Sequence, residues 1–200
     1  MLLGSLLFAD SYPSFSKAEL QNIKGKNGRI AKNRIIDYKK TLVKMQSYSK
    51  KKQLTSINFY FNQLLPQYDD IINKQEDHWA TPKEFLIAGY GDCEDYVIIK
   101  YFSLIKLGFD EKKLFITVVK ERYYGGYHMV LSYFKEEGKS PLILDNLSFR
   151  ILNLKIRDDI KADTFINSTG VYRLKGNKLV KFAHHSKEYL ELLESIKKEN

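Results

Sequence analysis

The sequence is organised around Gly89-Tyr90-Gly91-Asp92-Cys93-Glu94-Asp95-Tyr96, which runs directly into an apolar segment from Val97 to Leu107. The two glycines allow a sharp turn, because glycine adopts backbone angles that are closed to other residues. Asp92 fits an N-cap, and the apolar segment, followed by Gly108, predicts a buried helix. The only cysteine of the 200 residues therefore lies at the start of a helix. The positive end of the helix dipole favours a thiolate there.

A single cysteine in this position has two interpretations. It is either a nucleophile or a small buried hydrophobic residue. A cysteine nucleophile needs a base to accept its proton and a third group to orient that base. The choice between the two interpretations depends on whether the rest of the sequence supplies these groups.

The remaining periodicity predicts helices before Cys93 and strands after it. Thr81 and Glu84 form a capping box in front of a short helix that begins at Pro82. Further helices are predicted over 16–20, 29–48 and 54–65, with a break at 25–28 and a C-terminal amphipathic helix from 186. Consecutive antiparallel strands are predicted at 114–119, 127–134 and 142–146, with additional strands at 149–154 and 170–182. This order of elements predicts an α+β fold, with N-terminal helices and an antiparallel sheet packed on a central cysteine-bearing helix.

The length of 200 residues suits a single domain. We predict that domain over 16–200, with a helical basic part at 16–66 and a core at 78–155. Residues 1–15 form an apolar N-terminus, and its first nine residues resemble the hydrophobic core and cleavage region of a secretory signal, without the basic leader. The segment is thus either a truncated signal peptide or a buried N-terminal segment, and we expect export. No other run approaches the roughly 20 apolar residues of a membrane span, so we expect no stable membrane insertion.

The net charge of +9 is concentrated near the N-terminus. Residues 17–52 contain twelve Lys and Arg against two acidic residues, so they carry +10 and the rest of the chain carries −1. A basic segment of this kind has two interpretations. It is either a surface for nucleic acid, anionic lipid or an acidic partner, or a solvated helix face with no partner. It contains no nucleic-acid motif and no stacking aromatics between its charges. The sequence therefore favours a solvated face and no nucleic-acid partner.

Two residues beyond the cysteine helix complete a candidate triad. His128 begins the second predicted strand of the meander, and Asp145 ends the third. These two ends can lie side by side in an antiparallel meander, and the helix packed on the sheet would bring Cys93 to the imidazole. The order Cys, His, Asp is typical of papain-like and transglutaminase-like enzymes, although three residue types in this order also occur by chance.

Several motifs together are more specific. They are Trp79-Ala80-Thr81-Pro82, the block Gly89 to Tyr96, His128 before Val130-Leu131, and Leu144-Asp145-Asn146. They closely resemble the bacterial transglutaminase-like cysteine proteinases of the LapG type, over roughly residues 54–154. The resemblance implies a papain-like/transglutaminase-like cysteine protease fold and a catalytic triad of Cys93, His128 and Asp145.

The same resemblance implies a cellular role. Enzymes of this type are periplasmic, bind calcium and release a large surface adhesin by cleaving it near its N-terminus, which controls biofilm attachment. An inner-membrane cyclic-di-GMP receptor restrains them. This chain departs from the expected motif at Val97 and Met129, where alanine is expected, and both changes concern packing.

The acidic residues around the thiol give a physical reason for calcium. Asp92, Glu94 and Asp95 surround Cys93, and like charges oppose the formation of a thiolate beside them. A bound cation would offset this effect, and carboxylates are the hard ligands that Ca²⁺ selects. The residues alone do not decide between calcium binding and a second interpretation, in which these acids only cap the helix and complement its dipole. The resemblance implies that Asp92 and Glu94 bind Ca²⁺, with Asp95 as a third candidate.

The sequence thus predicts a calcium-dependent cysteine endopeptidase. One alternative is a transglutaminase, which would use the same triad for acyl transfer to an amine. The other is a non-catalytic calcium-binding interaction module, which would leave the pattern of Cys93, His128 and Asp145 unexplained.

Overall fold

A computed structural model describes residues 12–66, 78–123 and 125–199. The predicted signal-like segment lies outside these ranges. The division of the domain into a helical basic part at 16–66 and a core at 78–155 stays a prediction. The helices are α1 (Lys17–Met45), α2 (Lys50–Phe61), α3 (Pro82–Ala88), α4 (Cys93–Lys106) and α5 (Lys187–Lys198). The strands are β1 (Leu65–Pro66), β2 (Tyr90–Gly91), β3 (Leu114–Glu121), β4 (Tyr127–Tyr133), β5 (Leu142–Asp145), β6 (Ser148–Asn153), β7 (Ile160–Asn167), β8 (Gly170–Lys175) and β9 (Lys178–Ala183).

Seven strands form one antiparallel sheet in the order β6-β5-β4-β3-β7-β8-β9, and β1 pairs with β2 in parallel. The predicted meander of β3, β4 and β5 is confirmed, since each strand pairs with the next. Strand β7 was missed by the sequence analysis. It lies between β3 and β8, but its first half alternates exposed polar residues such as Lys161 with partly buried ones. Only its end, at Phe165 and Ile166, has the apolar composition of a buried strand.

Helix α4 is the centre of the molecule. Every residue from Glu94 to Ile105 is buried, because one side of the helix contacts β3 and β4 and the other contacts α2 and α3. The helix ends at Lys106 with Leu107 as its C-cap, and Gly108 follows with a left-handed φ of 76°. The predicted α+β fold, with helices and an antiparallel sheet packed on the cysteine-bearing helix, is confirmed.

The N-terminal helices differ from the prediction at their bounds. Helix α1 is longer than expected and begins at a capping box of Ser16 and Glu19. The predicted break at 25–28 is limited to a kink at Gly28, whose φ is 83°. Helix α2 begins four residues before Leu54, because the Ser49 hydroxyl accepts from the amide of Lys52 and caps an exposed lysine run. It ends at Phe61, before the predicted end at Leu65.

The C-terminal helix α5 packs against the centre of the molecule, as its apolar stripe predicts. Tyr189, Leu192 and Ile196 are buried, and the ring of Tyr189 lies 6.4 Å from that of Tyr101 on α4. No helix in the described ranges has both the length and the apolar character that crossing a bilayer requires.

Candidate active site

The turn between α3 and α4 delivers Cys93 to the site and depends on its two glycines. Gly89 ends α3 in the left-handed conformation, with a φ of 83°. A Cβ on Gly89 would lie 2.0 Å from the guanidinium carbon of Arg34. That guanidinium donates to the carbonyls of Leu86 and Ile87 at 2.9 and 2.8 Å. Arg34 thus closes the end of α3 directly beside the turn.

Gly91 makes room for the carboxylate of Asp95. A Cβ on Gly91 would lie 2.4 Å from Asp95 Oδ2. Asp95 is buried, and its oxygens accept from the amides of Ala80 at 2.8 Å and Asp92 at 3.3 Å. The side chain of Asp95 therefore anchors the helix start to the segment that precedes α3.

Cys93 is the first residue of α4, as predicted, and Asp92 is the N-cap. The thiol of Cys93 donates to Glu94 Oε2 at 3.1 Å. Burial raises the pKa of the thiol well above its usual range, the charge of Glu94 raises it further, and the N–H of Met129 opposes this. The effect of the helix dipole is thus outweighed. The contact with Met129 places the sulfur beside β4 at the residue that follows His128.

His128 and Asp145 meet across β4 and β5, as predicted. His128 Nε2 lies 2.9 Å from Asp145 Oδ1, and the two side chains are 8% and 1% exposed. The amide of Leu147 also donates to Oδ1, at 2.9 Å. Because Nε2 faces the carboxylate, Nδ1 is the ring nitrogen that can exchange a proton with a thiol. The structure thus assembles a buried His–Asp pair, while the Cys93 hydrogen bond goes to Glu94.

Arg157, which the sequence analysis missed, completes the surroundings of Asp145. Its Nη2 donates to Asp145 Oδ2 at 2.9 Å and to Asp159 Oδ2 at 2.6 Å, and its Nε donates to Asp159 Oδ1 at 2.7 Å. Burial alone would raise the pKa of Asp145, but His128, the Leu147 amide and Arg157 together hold that pKa well below its usual range. The carboxylate is therefore ionised throughout the neutral range.

A second group of residues holds the backbone of the turn after β5. Asn62 Nδ2 donates to the carbonyls of Asp145 at 2.7 Å and Ser148 at 2.9 Å, and Asn58 Nδ2 donates to Ser148 at 2.8 Å. Lys100, fully buried on α4, donates to Asn58 Oδ1 at 2.9 Å. Burial lowers the pKa of Lys100 to about 7, although the charge of Asp145 opposes the shift. Helices α2 and α4 thereby fix the turn that carries Asp145.

The predicted calcium ligands have different surroundings. Asp92 and Glu94 flank the thiol with hard oxygen donors, which suit Ca²⁺. Asp95 is instead occupied by two backbone amides. Across 12–66, 78–123 and 125–199, no three His, Cys, Asp or Glu side chains are clustered as a metal site would require. Asp92 and Glu94 therefore fit a calcium ion that takes its other ligands from carbonyl groups or water, and Asp95 fits less well.

A cavity of about 420 Å³ adjoins the His–Asp pair. His128, Asp145 and Arg157 form part of its wall, and Leu147 and Ile156 lie at the same cavity with exposed side chains. Trp79 is buried, and its Nε1 has no acceptor among the described residues. His78 lies on the surface, 3.3 Å from Glu84.

Comparison with known proteins identifies the family. The model of the bacterial transglutaminase-like cysteine proteinases matches residues 31–158, which is more than half of the chain. This chain belongs to that family. It is therefore a cysteine protease, and the matched residues include Cys93, His128, Asp145 and Arg157. The resemblance found in the motifs over 54–154 lies entirely inside the matched range.

Solved structures of LapG from Legionella pneumophila resemble this bacterial transglutaminase-like cysteine proteinase over nearly their whole length. The calcium-bound form is 28% identical, with a TM-score of 0.76, and the match covers 88% of this chain and 98% of that one. The EGTA-treated form is 29% identical, with a TM-score of 0.75 and coverages of 88% and 97%. A third LapG structure is 29% identical, with a TM-score of 0.73 and coverages of 95% and 98%. Comparison with curated proteins gave no match. The predicted transglutaminase-like cysteine protease fold is confirmed.

Proposed function

We propose that this cysteine proteinase is a calcium-dependent endopeptidase that uses Cys93, His128 and Asp145 as its catalytic triad. The observation that carries the proposal is the buried contact of 2.9 Å between His128 and Asp145. The next residue on the strand, Met129, contacts Cys93, the only cysteine, through its backbone N–H. A nucleophile, a base and an orienting carboxylate are the three groups that cysteine hydrolysis needs.

Acylation begins with a proton transfer. His128 Nδ1 accepts the proton of the Cys93 thiol, while Asp145 holds Nε2 and stabilises the imidazolium that forms. The thiolate sulfur attacks the carbonyl carbon of the scissile peptide bond. Backbone N–H groups at the start of α4, including that of Cys93, hold the oxyanion, because the first amides of a helix have no partner within it. The C–N bond then breaks, and the imidazolium gives its proton to the leaving amine.

Deacylation reverses the role of the imidazole. His128 accepts a proton from water as the water oxygen attacks the thioester carbonyl carbon. The C–S bond breaks, the thiolate takes the proton from the imidazolium, and the product leaves as a carboxylic acid that loses its remaining proton to solvent. The overall reaction is hydrolysis of one peptide bond.

Calcium dependence rests on the electrostatics of the helix start. Both Glu94 and Asp92 raise the pKa of Cys93, so two nearby carboxylates work against the thiolate that the reaction needs. A cation bound by Asp92 and Glu94, with Asp95 as a further candidate, would neutralise this charge. LapG has been solved in calcium-bound and EGTA-treated forms, which supports calcium binding by a relative of this fold.

The substrate, partner and location follow from the family resemblance. We propose that the protease acts in the periplasm on a large surface adhesin near its N-terminus and thereby controls biofilm attachment. The proposed inhibitor is an inner-membrane cyclic-di-GMP receptor. An extended linker of the adhesin, rich in small residues, is the form of substrate that would enter the site.

The test uses purified wild-type protein and Cys93→Ala with recombinant N-terminal regions of candidate adhesins from the same organism. Wild type with Ca²⁺ is expected to give two fragments by gel and mass spectrometry. EDTA is expected to stop cleavage and added Ca²⁺ to restore it. Cys93→Ala should fold with an unchanged circular dichroism spectrum and cleave nothing. A fully active Cys93→Ala protein refutes the triad, undiminished cleavage in EDTA refutes calcium dependence, and crosslinked products in place of fragments identify acyl transfer.

A further inference from the structure

We propose that Arg157 is a positioning residue of the active site, which acts on the reaction only through Asp145. The proposal rests on the proposed function, because it assigns Arg157 to the same triad. None of the motifs that point to Cys93, His128 and Asp145 includes this arginine. Its role follows from two sets of contacts in the folded protein and from the charges that those contacts bring together.

The first set fixes the orientation of the Asp145 carboxylate. Oδ1 accepts from His128 and from the Leu147 amide, and Oδ2 accepts from Arg157 Nη2. Among the described residues, Arg157 is the one donor that meets Oδ2. A carboxylate held only through Oδ1 can turn about its last torsion angle, and the imidazole would turn with it. Arg157 therefore fixes the plane in which Asp145 presents its oxygen to His128.

The second set holds Arg157 itself. Asp159 accepts from both Nε and Nη2, which is the paired geometry that a guanidinium forms with a carboxylate. The side chain of Arg157 is 9% exposed and that of Asp159 is 42% exposed, so solvent screens the contact with Asp159 more than the buried contact with Asp145. Lysine carries its three donors on one nitrogen and cannot reproduce the contact that two guanidinium nitrogens make with Asp159. Position 157 therefore needs the shape of arginine as well as its charge.

The third consideration is charge. Asp145 and Asp159 both lie against the guanidinium, and each disfavours ionisation of the other. Asp145 is 1% exposed and Asp159 is 42% exposed, so without Arg157 the buried Asp145 would lie near a second carboxylate with no cation between them, and Asp145 would take up a proton more readily. Arg157 keeps Asp145 ionised next to His128.

The test uses a readout that requires no substrate. Because Cys93 is the only cysteine, its alkylation by iodoacetamide can be followed by intact mass. In the presence of Ca²⁺ at pH 7, Arg157→Met is expected to react about 10- to 100-fold more slowly than wild type, the scale of a misplaced catalytic group. Arg150→Met, at an exposed arginine on β6, is the matched control and should react like wild type. Equal rates for Arg157→Met and Arg150→Met overturn the proposal.

A double-mutant cycle tests whether Arg157 acts through Asp145. If it does, adding Arg157→Met to Asp145→Asn lowers the alkylation rate no further. The same fold-loss in both backgrounds would show an independent effect on the thiol and would overturn the proposal. Arg157→Lys, which keeps the charge, should fall between wild type and Arg157→Met, and it replaces the methionine variant if that variant does not fold.

The pH profile separates positioning from a purely structural role. Loss of Arg157 raises the pKa of Asp145, because Arg157 is one of the groups that lower it. While it is ionised, Asp145 stabilises the imidazolium that pairs with the thiolate, and this effect is lost as the pH falls through the folded pKa of Asp145. The acid limb of alkylation in Arg157→Met should therefore lie at higher pH than in wild type. An unmoved limb overturns the proposal.

The inference and the proposed function can fail separately. If wild type cleaves no adhesin region but Arg157→Met slows alkylation, the substrate assignment fails and the role of Arg157 stands. If wild type cleaves and Arg157→Met cleaves equally well, the proposed function stands and the inference fails.

Discussion

Two parts of the proposed active site have opposite electrostatics. One is the start of α4, which carries Cys93, and the other is the pair of neighbouring strand ends on β4 and β5, which carry His128 and Asp145. At the helix start, burial and Glu94 raise the pKa of Cys93, so the thiol stays protonated. At the strand ends, His128, the Leu147 amide and Arg157 outweigh the effect of burial and lower the pKa of Asp145, so that carboxylate stays ionised. The proposed base and its orienting group are thus ready before the proposed nucleophile is. Control of this protease would act most directly on the charge around the thiol.

Asp145→Asn is expected to have the largest effect, because it removes the side of the site that is already assembled. The amide cannot stabilise an imidazolium and presents the wrong hydrogen-bond pattern to His128, so kcat should fall by about 10⁴-fold. Cleavage of an adhesin region is the measurement, with folding checked by thermal unfolding. Asp158→Asn, at an exposed carboxylate of the same cavity, is the control. A variant that keeps a tenth of wild-type kcat would show that the pair is not catalytic.

Glu94→Gln tests the other side of the comparison and should change Cys93 reactivity by about tenfold, which corresponds to one unit of pKa. In EDTA the variant should be alkylated faster than wild type at pH 7, because a neutral amide no longer opposes the thiolate. In Ca²⁺ the order should reverse, since the variant has lost a proposed ligand. Glu136→Gln, at an acid that is 60% exposed, is the control. If Glu94→Gln is no faster in EDTA, its charge does not hold the thiol protonated.

Gly91→Ala should have the smallest effect, and it acts on stability. The new Cβ would overlap Asp95, whose carboxylate anchors the helix start, so the free energy of unfolding should fall by about 1–3 kcal/mol. Urea unfolding is the measurement. Gly126→Ala is the control, because its Cβ would lie 3.8 Å from Glu121 Oε2, an ordinary contact distance. Equal stability of the two variants would mean that Asp95 moves aside at no cost.

The parts of the fold that could be predicted were those with local signals. The cysteine helix has an acidic cap, an apolar interior and a glycine end, and its bounds were predicted closely. Strand β7 has no such local signal, because its position between β3 and β8 determines its structure. The early start of α2 depends on one serine cap, Ser49, and the polar lysines that follow it show no apolar periodicity that would indicate a helix.

The same distinction holds for the site. His128 and Asp145 could be paired from sequence, because register in a meander places strand ends together. Arg157 comes from the connection after β6, and its docking on Asp145 is decided by the path of that connection. Asn58 and Asn62 appear in sequence as ordinary helix residues, and only the packing of α2 against the turn after β5 gives them a role.

The hydrogen bond from Cys93 to Glu94 also bears on oxidation. The thiolate is the form that peroxide attacks, so a thiol held protonated by burial and a neighbouring carboxylate reacts slowly with oxidants. With one cysteine in the chain, no internal disulfide can intercept a sulfenic acid at this position. Whatever makes Cys93 ready to attack a peptide also makes it open to peroxide. The resting arrangement therefore preserves the enzyme as well as restraining it.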